Sequence, residues 1–300
     1  MSKYIRFDWA VKRLLRQKAN FVVLEGFLST LLGSKIKIRK MLESEGNQEH
    51  ENDKFNRVDM FAEFEDGELA IIEVQNNREL DYFHRILYGV SKAIAENIEL
   101  GEDYIHVKKV YSVNIVYFGL GVGNDYAYKG KTSFTGINNK DDVLMLNKKQ
   151  QEQFHSGYAG DIFPEYYILR VDDFDSVAKT PLDEWISFLK TGDIPETATA
   201  PGLPEARQKL LEDAMTPEER LKYRSHLESL RYQRSVLKTS YVDGVAKGME
   251  QGVAKGREEG KAEGRAESTV AIARAMKAEN MDASIISRMT GLSADEIMRL

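Results

Sequence analysis

Asp59, Glu73 and Gln75 flank one tight turn, and residues of these types in that arrangement can hold a hard cation or share a proton. Residues 57–64 and 68–75 are rich in β-formers, and Glu65-Asp66-Gly67 between them is a turn signal, which together predict a hairpin. A three-residue loop built as a type I turn plus one left-handed residue wants glycine third, as here. In that register Phe64 pairs with Glu68, and Asp59 lies opposite Glu73. Side-chain alternation then places Asp59, Glu73 and Gln75 on one face, and Val58, Met60, Ala62, Ala70, Ile72 and Val74 on the other. A two-residue turn would send the two carboxylates to opposite faces. Opposed carboxylates repel unless a proton or a divalent cation lies between them. Magnesium suits such a pair because it uses few protein oxygens and leaves much of its shell for water and substrate phosphate. The plain alternative is a solvated sheet face with Lys54 or Arg57 as ion-pair partner.

Two further features bear on this chemistry. Glu25 is the lone charge among Phe21, Val22, Val23, Leu24, Phe27 and Leu28, so burial of this stretch would require a metal or a basic partner for it. Arg85, Tyr88 and Lys92, at i, i+3 and i+7, form one polar, basic stripe suited to phosphates, or else an ordinary exposed helix face. Residues 1–40 carry ten cationic side chains against Asp8 and Glu25, a net +8 on a chain whose overall charge is −6. Such a basic end is either a footprint for a polyanion or the solvated side of amphipathic helices. The run `GLGVGND` (119–125) lacks a following Lys-Ser/Thr and a helix to cap phosphate, so it is a strand-exit turn rather than a nucleotide loop.

Composition removes several classes. The absence of cysteine excludes disulfides, thiolate zinc sites, a cysteine nucleophile and CxxC redox chemistry. The five histidines are scattered, so a metal is expected on carboxylates. No apolar run approaches a membrane span, and the N-terminus lacks a signal-type core, so the expectation is a soluble cytoplasmic protein.

The elements that must position these residues follow from periodicity. Helices are predicted over 7–18 and over 20–32, the second with Asn20 as N-cap and Gly33 as stop. A polar loop over 43–57, the hairpin, a helix over 79–98 and a buried strand within 107–120 come next. A second hairpin turning at Lys129-Gly130, a strand over 165–171 and a helix over 181–192 complete one α/β domain, residues 1–195. Pro195, Pro201 and Pro204 suggest a linker over 196–206. Residues 207–269 are polar and helical, with glycine every fourth residue from Gly244 to Gly264, either a self-associating helix or a flexible tether. Residues 270–300 form a short helical module with a Ser293/Glu296 capping box. Its helix-turn-helix outline suits packing or dimerisation better than base reading, because Ala294 and Asp295 would start the recognition helix.

Asp59, then `EVQ` (73–75) on the next strand, then the continuing run through `RELDYFHRILYGVSKAI` to `VKKVYSVNIVYF`, resembles the PD-(D/E)XK nucleases, in particular the PD-(D/E)XK nuclease family transposases and Rpn recombination-promoting nucleases. The likeness covers about residues 1–200, and the glycine-every-four tail is similar to tails in that family. The resemblance implies a restriction-endonuclease-like αβββαβ core, a mixed sheet flanked by helices, that cuts DNA with Mg²⁺ (Mn²⁺ or Ca²⁺ being possible substitutes). It implies Asp59, Glu73 and the Val74 carbonyl as metal ligands, and Glu25 as the first-helix acid. Gln75 stands where the superfamily usually has lysine, which leaves the metal, and Arg85 or Lys92, to supply positive charge. The expected function is a metal-dependent DNA endonuclease in recombination or transposition. The alternative is a catalytically weak or inactive DNA-binding scaffold that forms homo-oligomers through its C-terminal helices.

Overall fold

The computed structural model describes residues 4–13, 17–42, 59–99, 101–175, 177–212 and 215–300. The expected loop over 43–57, with Lys54 and Arg57, lies outside them, as does Val58. Two compact units emerge, Met1–Arg224 and Ser225–Leu300.

The first unit follows the αβββαβ order. Phe7–Arg13 (α1) and Phe21–Leu32 (α2) precede Ile38–Leu42 (β1), Met60–Phe64 (β2) and Leu69–Gln75 (β3), and Tyr82–Glu96 (α3) leads to Val110–Val116 (β4). Ala127–Lys131 (β5), Lys148–Phe154 (α4), Glu165–Arg170 (β6), Pro181–Thr191 (α5) and Leu203–Lys209 (α6) follow. The strands form one mixed sheet in the order β1-β2-β3-β4-β6-β5. Strands β1 to β3 are antiparallel, β3, β4 and β6 run parallel, and β5 closes the far edge antiparallel to β6. Helix α3 is the crossover that a parallel β3–β4 pair requires.

The central hairpin has the register expected from its turn. Met60 lies opposite Ile72 and Ala62 opposite Ala70, while Phe64 N–H donates to Glu68 O at 2.8 Å. Gly67 takes φ +89°, a conformation glycine adopts without strain. One face of the hairpin, Met60, Ala62, Ile72 and Val74, is almost wholly buried. On the other, Phe61, Leu69 and Ile71 pack with Val90 and Ala93 of α3. The inward side of α3 is Tyr82, Ile86, Gly89, Val90 and Ala93, the helical spacing of a single buried stripe.

Several elements differ from the sequence expectation. Periodicity left 35–42 unassigned, yet β1 forms there, because Glu25 Oε1 accepts the Ile38 N–H (3.0 Å) and Glu65 N–H donates to Lys37 O (3.0 Å). The hairpin expected at Lys129-Gly130 is instead one straight strand, β5. The ladder to β6 pairs Lys129 with Tyr167 and Gly130 with Tyr166, and a tertiary partner thus overrides a local turn signal. Helix α1 is described over Phe7–Arg13; residues 14–16 of the expected helix lie outside the described residues, and Lys18–Asn20 is a 3₁₀ turn. Asn20 precedes α2 but makes no side-chain cap, and its Oδ1 accepts from Lys209 Nζ at 3.2 Å instead. Gly33 ends α2 at φ +72° as expected.

The proline-bearing stretch over 196–206 is packed rather than free. Ala198, Ala200, Leu203 and Ala206 are buried, and Trp185 Nε1 donates to Pro201 O at 3.0 Å. A Cβ placed on Gly26 of α2 would fall 2.4 Å from Gly202 Cα, so these two glycines let the backbones touch. Phe7, Phe27, Trp185 and Phe188 cluster edge to face beside this contact, Phe27 and Trp185 at 5.2 Å between centroids.

Pro217–Ala278 is one helix, α7, which holds all six repeat glycines, so the repeat is helical rather than a loose tether. A Cβ on any of the six would meet no other atom within 4 Å. Ala283–Thr290 (α8) and Ala294–Arg299 (α9) follow. Ala273, Ile286 and Ile297 form the core of the second unit, with Met276, Leu292 and Leu300 against it. The Ser293/Glu296 capping box is present, with Ser293 N–H donating to Glu296 Oε2 at 2.8 Å.

Gly26→Ala is expected to cost about 1–3 kcal/mol, the usual penalty of overpacking. Gly252→Ala, in open space on α7, should instead raise helix stability by about 1 kcal/mol. Urea denaturation followed by circular dichroism checks both, and equal effects at the two glycines would contradict the close α2–α6 contact.

Candidate functional site

Asp59 stands one residue before β2, in register with Glu73 on β3. Its Oδ2 accepts the Val74 N–H at 2.7 Å, which pins the first-strand carboxylate to the backbone between Glu73 and Gln75. Parallel pairing sets Asn114 of β4 beside Glu73. The fully buried Tyr82 places its hydroxyl 3.4 Å from both Glu73 Oε2 and Asn114 Oδ1, while Asn114 Nδ2 donates to Ser112 Oγ at 3.0 Å. Arg85, one turn along α3, has Nε 3.6 Å from Glu73 Oε2 and donates from Nη1 to Glu79 Oε1 and Oε2 at 3.0 and 3.2 Å. Gln75 Nε2 donates to Glu79 Oε1 at 2.6 Å. Asp59, Glu73, Gln75 and Arg85 are thus brought together, joined by Glu79, Tyr82 and Asn114.

The electrostatics centre on Glu73, which is only 6% exposed. Burial pushes its carboxyl up to about 7, and Asp59 adds to the rise, while Arg85 and the Tyr82 hydroxyl oppose it. Burial, then the Glu73 charge, also raises the Tyr82 phenol, so it stays a proton donor. Glu73 thus shares its guanidinium with Glu79. Carboxylate oxygens on adjacent strands are the donor type a hard divalent cation takes. Among the described residues no group of three or more acidic, histidine or cysteine side chains is placed to hold a metal.

The other expected residues fall elsewhere. Glu25 is buried, its Oε2 2.5 Å from Lys37 Nζ and its Oε1 on the Ile38 amide, so its partner is a lysine and the start of β1. The stripe on α3 divides: Arg85 turns inward to Glu73, Lys92 pairs with Glu96 at 3.4 Å, and Tyr88 is exposed. Residues 119–125 follow β4 as a loop, in which Asp125 Oδ1 accepts the Tyr126 and Ala127 amides.

A mixed sheet in the αβββαβ order, with an Asp and an ExQ strand facing each other beside a crossover helix, is the arrangement the family resemblance implied. A family model described as PD-(D/E)XK nuclease family transposase matches residues 5–240. The chain belongs to this family. No curated protein and no solved structure matches it. PD-(D/E)XK nucleases generally use divalent metals and act on DNA, so membership supports a nuclease role associated with transposition. No helix among the described residues is long and apolar enough to cross a membrane.

Three residues of this cluster escaped the sequence reading. Asn114 carried a usable signal: a lone amide within `VYSVNIV` must find partners if that strand is buried. Tyr82 and Glu79 carried none, because only the docking of α3 brings them to Glu73.

Glu73 holds its proton up to about pH 7 in the folded chain, whereas an unfolded glutamate releases it near its ordinary value. Between these limits the folded state binds more protons, so stability falls as pH rises from about 5 to 8, by roughly 3 kcal/mol from this group. Glu73→Gln should flatten that fall. Urea melts of both proteins in EDTA at pH 5 and pH 8 test it, and an unchanged slope in the variant would assign the pH dependence elsewhere.

Proposed function

We propose that the protein is a divalent-metal-dependent DNA endonuclease acting in recombination or transposition of mobile elements, with Mg²⁺ as the resident ion. The observation that carries this reading is the facing of Asp59 and Glu73 across the hairpin, with Glu73 desolvated and short of countercharge. Asp59, Glu73 and the Val74 carbonyl would hold the ion. When bound, it would supply a water of lowered pKa and positive charge for the scissile phosphate. Asp59 is positioned by the Val74 amide, which keeps its carboxylate against β3. Tyr82 orients Glu73 from the buried side. Gln75, held by Glu79, directs an amide rather than a cation into the site, and it can hydrogen-bond a water or a phosphate oxygen without carrying charge. Arg85 is the cation nearest Glu73 among the described contacts, and its Nε has no hydrogen-bond partner. Lys92 and Tyr88 continue along α3 as candidate backbone contacts, with affinity that falls as salt rises.

A second reading keeps the fold for binding alone. Gln75 in place of the usual lysine favours it, as do the exposed apolar residues of α7, Tyr241, Val245, Met249 and Val253, which suit self-association of the C-terminal unit.

Incubation of supercoiled plasmid with purified protein in Mg²⁺, Mn²⁺, Ca²⁺ or EDTA separates the two. The expected result is nicking in Mg²⁺ or Mn²⁺ that disappears in EDTA. Asp59→Asn and Glu73→Gln should each lower it by about a thousandfold, an oxyanion-scale electrostatic loss, with thermal stability not reduced. Full cutting by either variant would remove these residues from the reaction. DNA retention without any metal-dependent product would favour the scaffold.

A further inference from the structure

We infer that Glu79 keeps the place of a substrate phosphate: its carboxylate lies between Gln75 and Arg85 until a phosphodiester of DNA displaces it. This rests on the nuclease reading above and names where that site grips its substrate. Glu79 Oε1 accepts from Gln75 Nε2 at 2.6 Å, and Arg85 Nη1 donates to Oε1 and Oε2 at 3.0 and 3.2 Å. One amide and one guanidinium thus hold a two-oxygen acceptor. The N–H groups that face it only donate, so the ligand they select is an anion rather than a metal ion. Carboxylate and phosphate offer arginine the same kind of paired oxygens. The partner that Arg85 takes from within the chain therefore outlines the one it would take from outside.

Two further observations separate a displaceable carboxylate from a structural tie. The first is charge. Arg85 Nε lies 3.6 Å from Glu73 Oε2, so a single guanidinium faces two acids. Glu79 adds negative charge beside a buried carboxylate, where a neutral acceptor would tie Gln75 and Arg85 with less repulsion. The second is placement. Glu79 belongs to the irregular connector between β3 and α3, and its side chain is 31% exposed. Its carboxylate can turn to solvent by side-chain rotation, which leaves the strand and the helix as they are. The exchange trades one charge-assisted contact for another and returns the Glu79 charge to water. Affinity for DNA is then lower than the two donors alone would give.

The test reads binding of a fluorescein-labelled DNA duplex to the full chain by anisotropy, in EDTA so that nothing is cut. Glu79→Gln keeps the shape of the side chain and removes its charge. It should tighten binding about tenfold, the size of one charge-assisted hydrogen bond, and Glu79→Ala should do at least as much. The gain should vanish when Arg85→Gln is added, because the freed donor is then gone. A gain of equal size with and without Arg85 would reduce Glu79 to general charge repulsion and overturn the assigned place. Unchanged or weaker binding in both Glu79 variants, with thermal melts like the parent's, would make Glu79 a structural tie and overturn it equally, even if the parent cuts plasmid. An Arg85-dependent gain in a parent that cuts no plasmid with any metal would instead sink the nuclease reading and leave the phosphate place standing.

Discussion

The register of the β2–β3 hairpin is the constraint on which the rest of this site depends. It is set locally, by a turn that needs a left-handed third residue and has Gly67 there. A slip of one residue would carry Asp59 to the wrong face and expose Met60, Ala62, Ile72 and Val74, which are buried. The apolar face and the acidic face therefore enforce the same pairing. The first supplies the energy, at about 25 cal/mol per Å² of apolar surface removed from water, and the second inherits the geometry. The Asp59–Val74 amide bond then closes the arrangement one residue beyond the ladder.

Among the described contacts, Glu73 meets one cation, and that cation is shared. Arg85 serves Glu73 and Glu79 together, Tyr82 offers one hydroxyl to two acceptors, and Gln75 contributes no charge. A buried carboxylate left in that condition is unfavourable for the folded protein, which is why its proton is held up to about pH 7. Stability given up at a site while the surrounding sheet stays well packed is the pattern expected where binding of a cation restores the balance.

Four of the ten cations in the first forty residues, Arg6, Lys37, Arg39 and Lys40, are paired within the fold. Glu63, buried on β2, draws Arg39, Lys40 and Lys108 to within 3.1–3.5 Å, and its carboxyl stays below the usual range because these cations outweigh the cost of burial. Lys37 is taken by Glu25 and Arg6 by Asp8. A count of positive charge along the chain thus overstates what remains for phosphates. The charged heads of Arg39 and Lys40 still reach solvent, so the edge strand presents an excess of cations over its one buried acid.

What was legible in the chain by itself is what depends on near neighbours. The hairpin, its turn and the facing of Asp59 and Glu73 were readable because alternation and Gly67 act within twenty residues, and the αβββαβ order followed from the family resemblance carried by that stretch. The helix α3 and the Ser293 cap were legible for the same reason. Strand β1, the straightness of β5 and the packing of 196–206 were decided only by tertiary partners: Glu25 for Ile38, the β6 ladder for Lys129 and Gly130, and Gly26 for Gly202. Local propensity at those places is weak or points the other way, and a distant backbone group outweighs it. The same holds at the site, where the sequence by itself determined which two carboxylates oppose each other, and only the docking of α3 decided that Tyr82, Arg85 and Glu79 surround them.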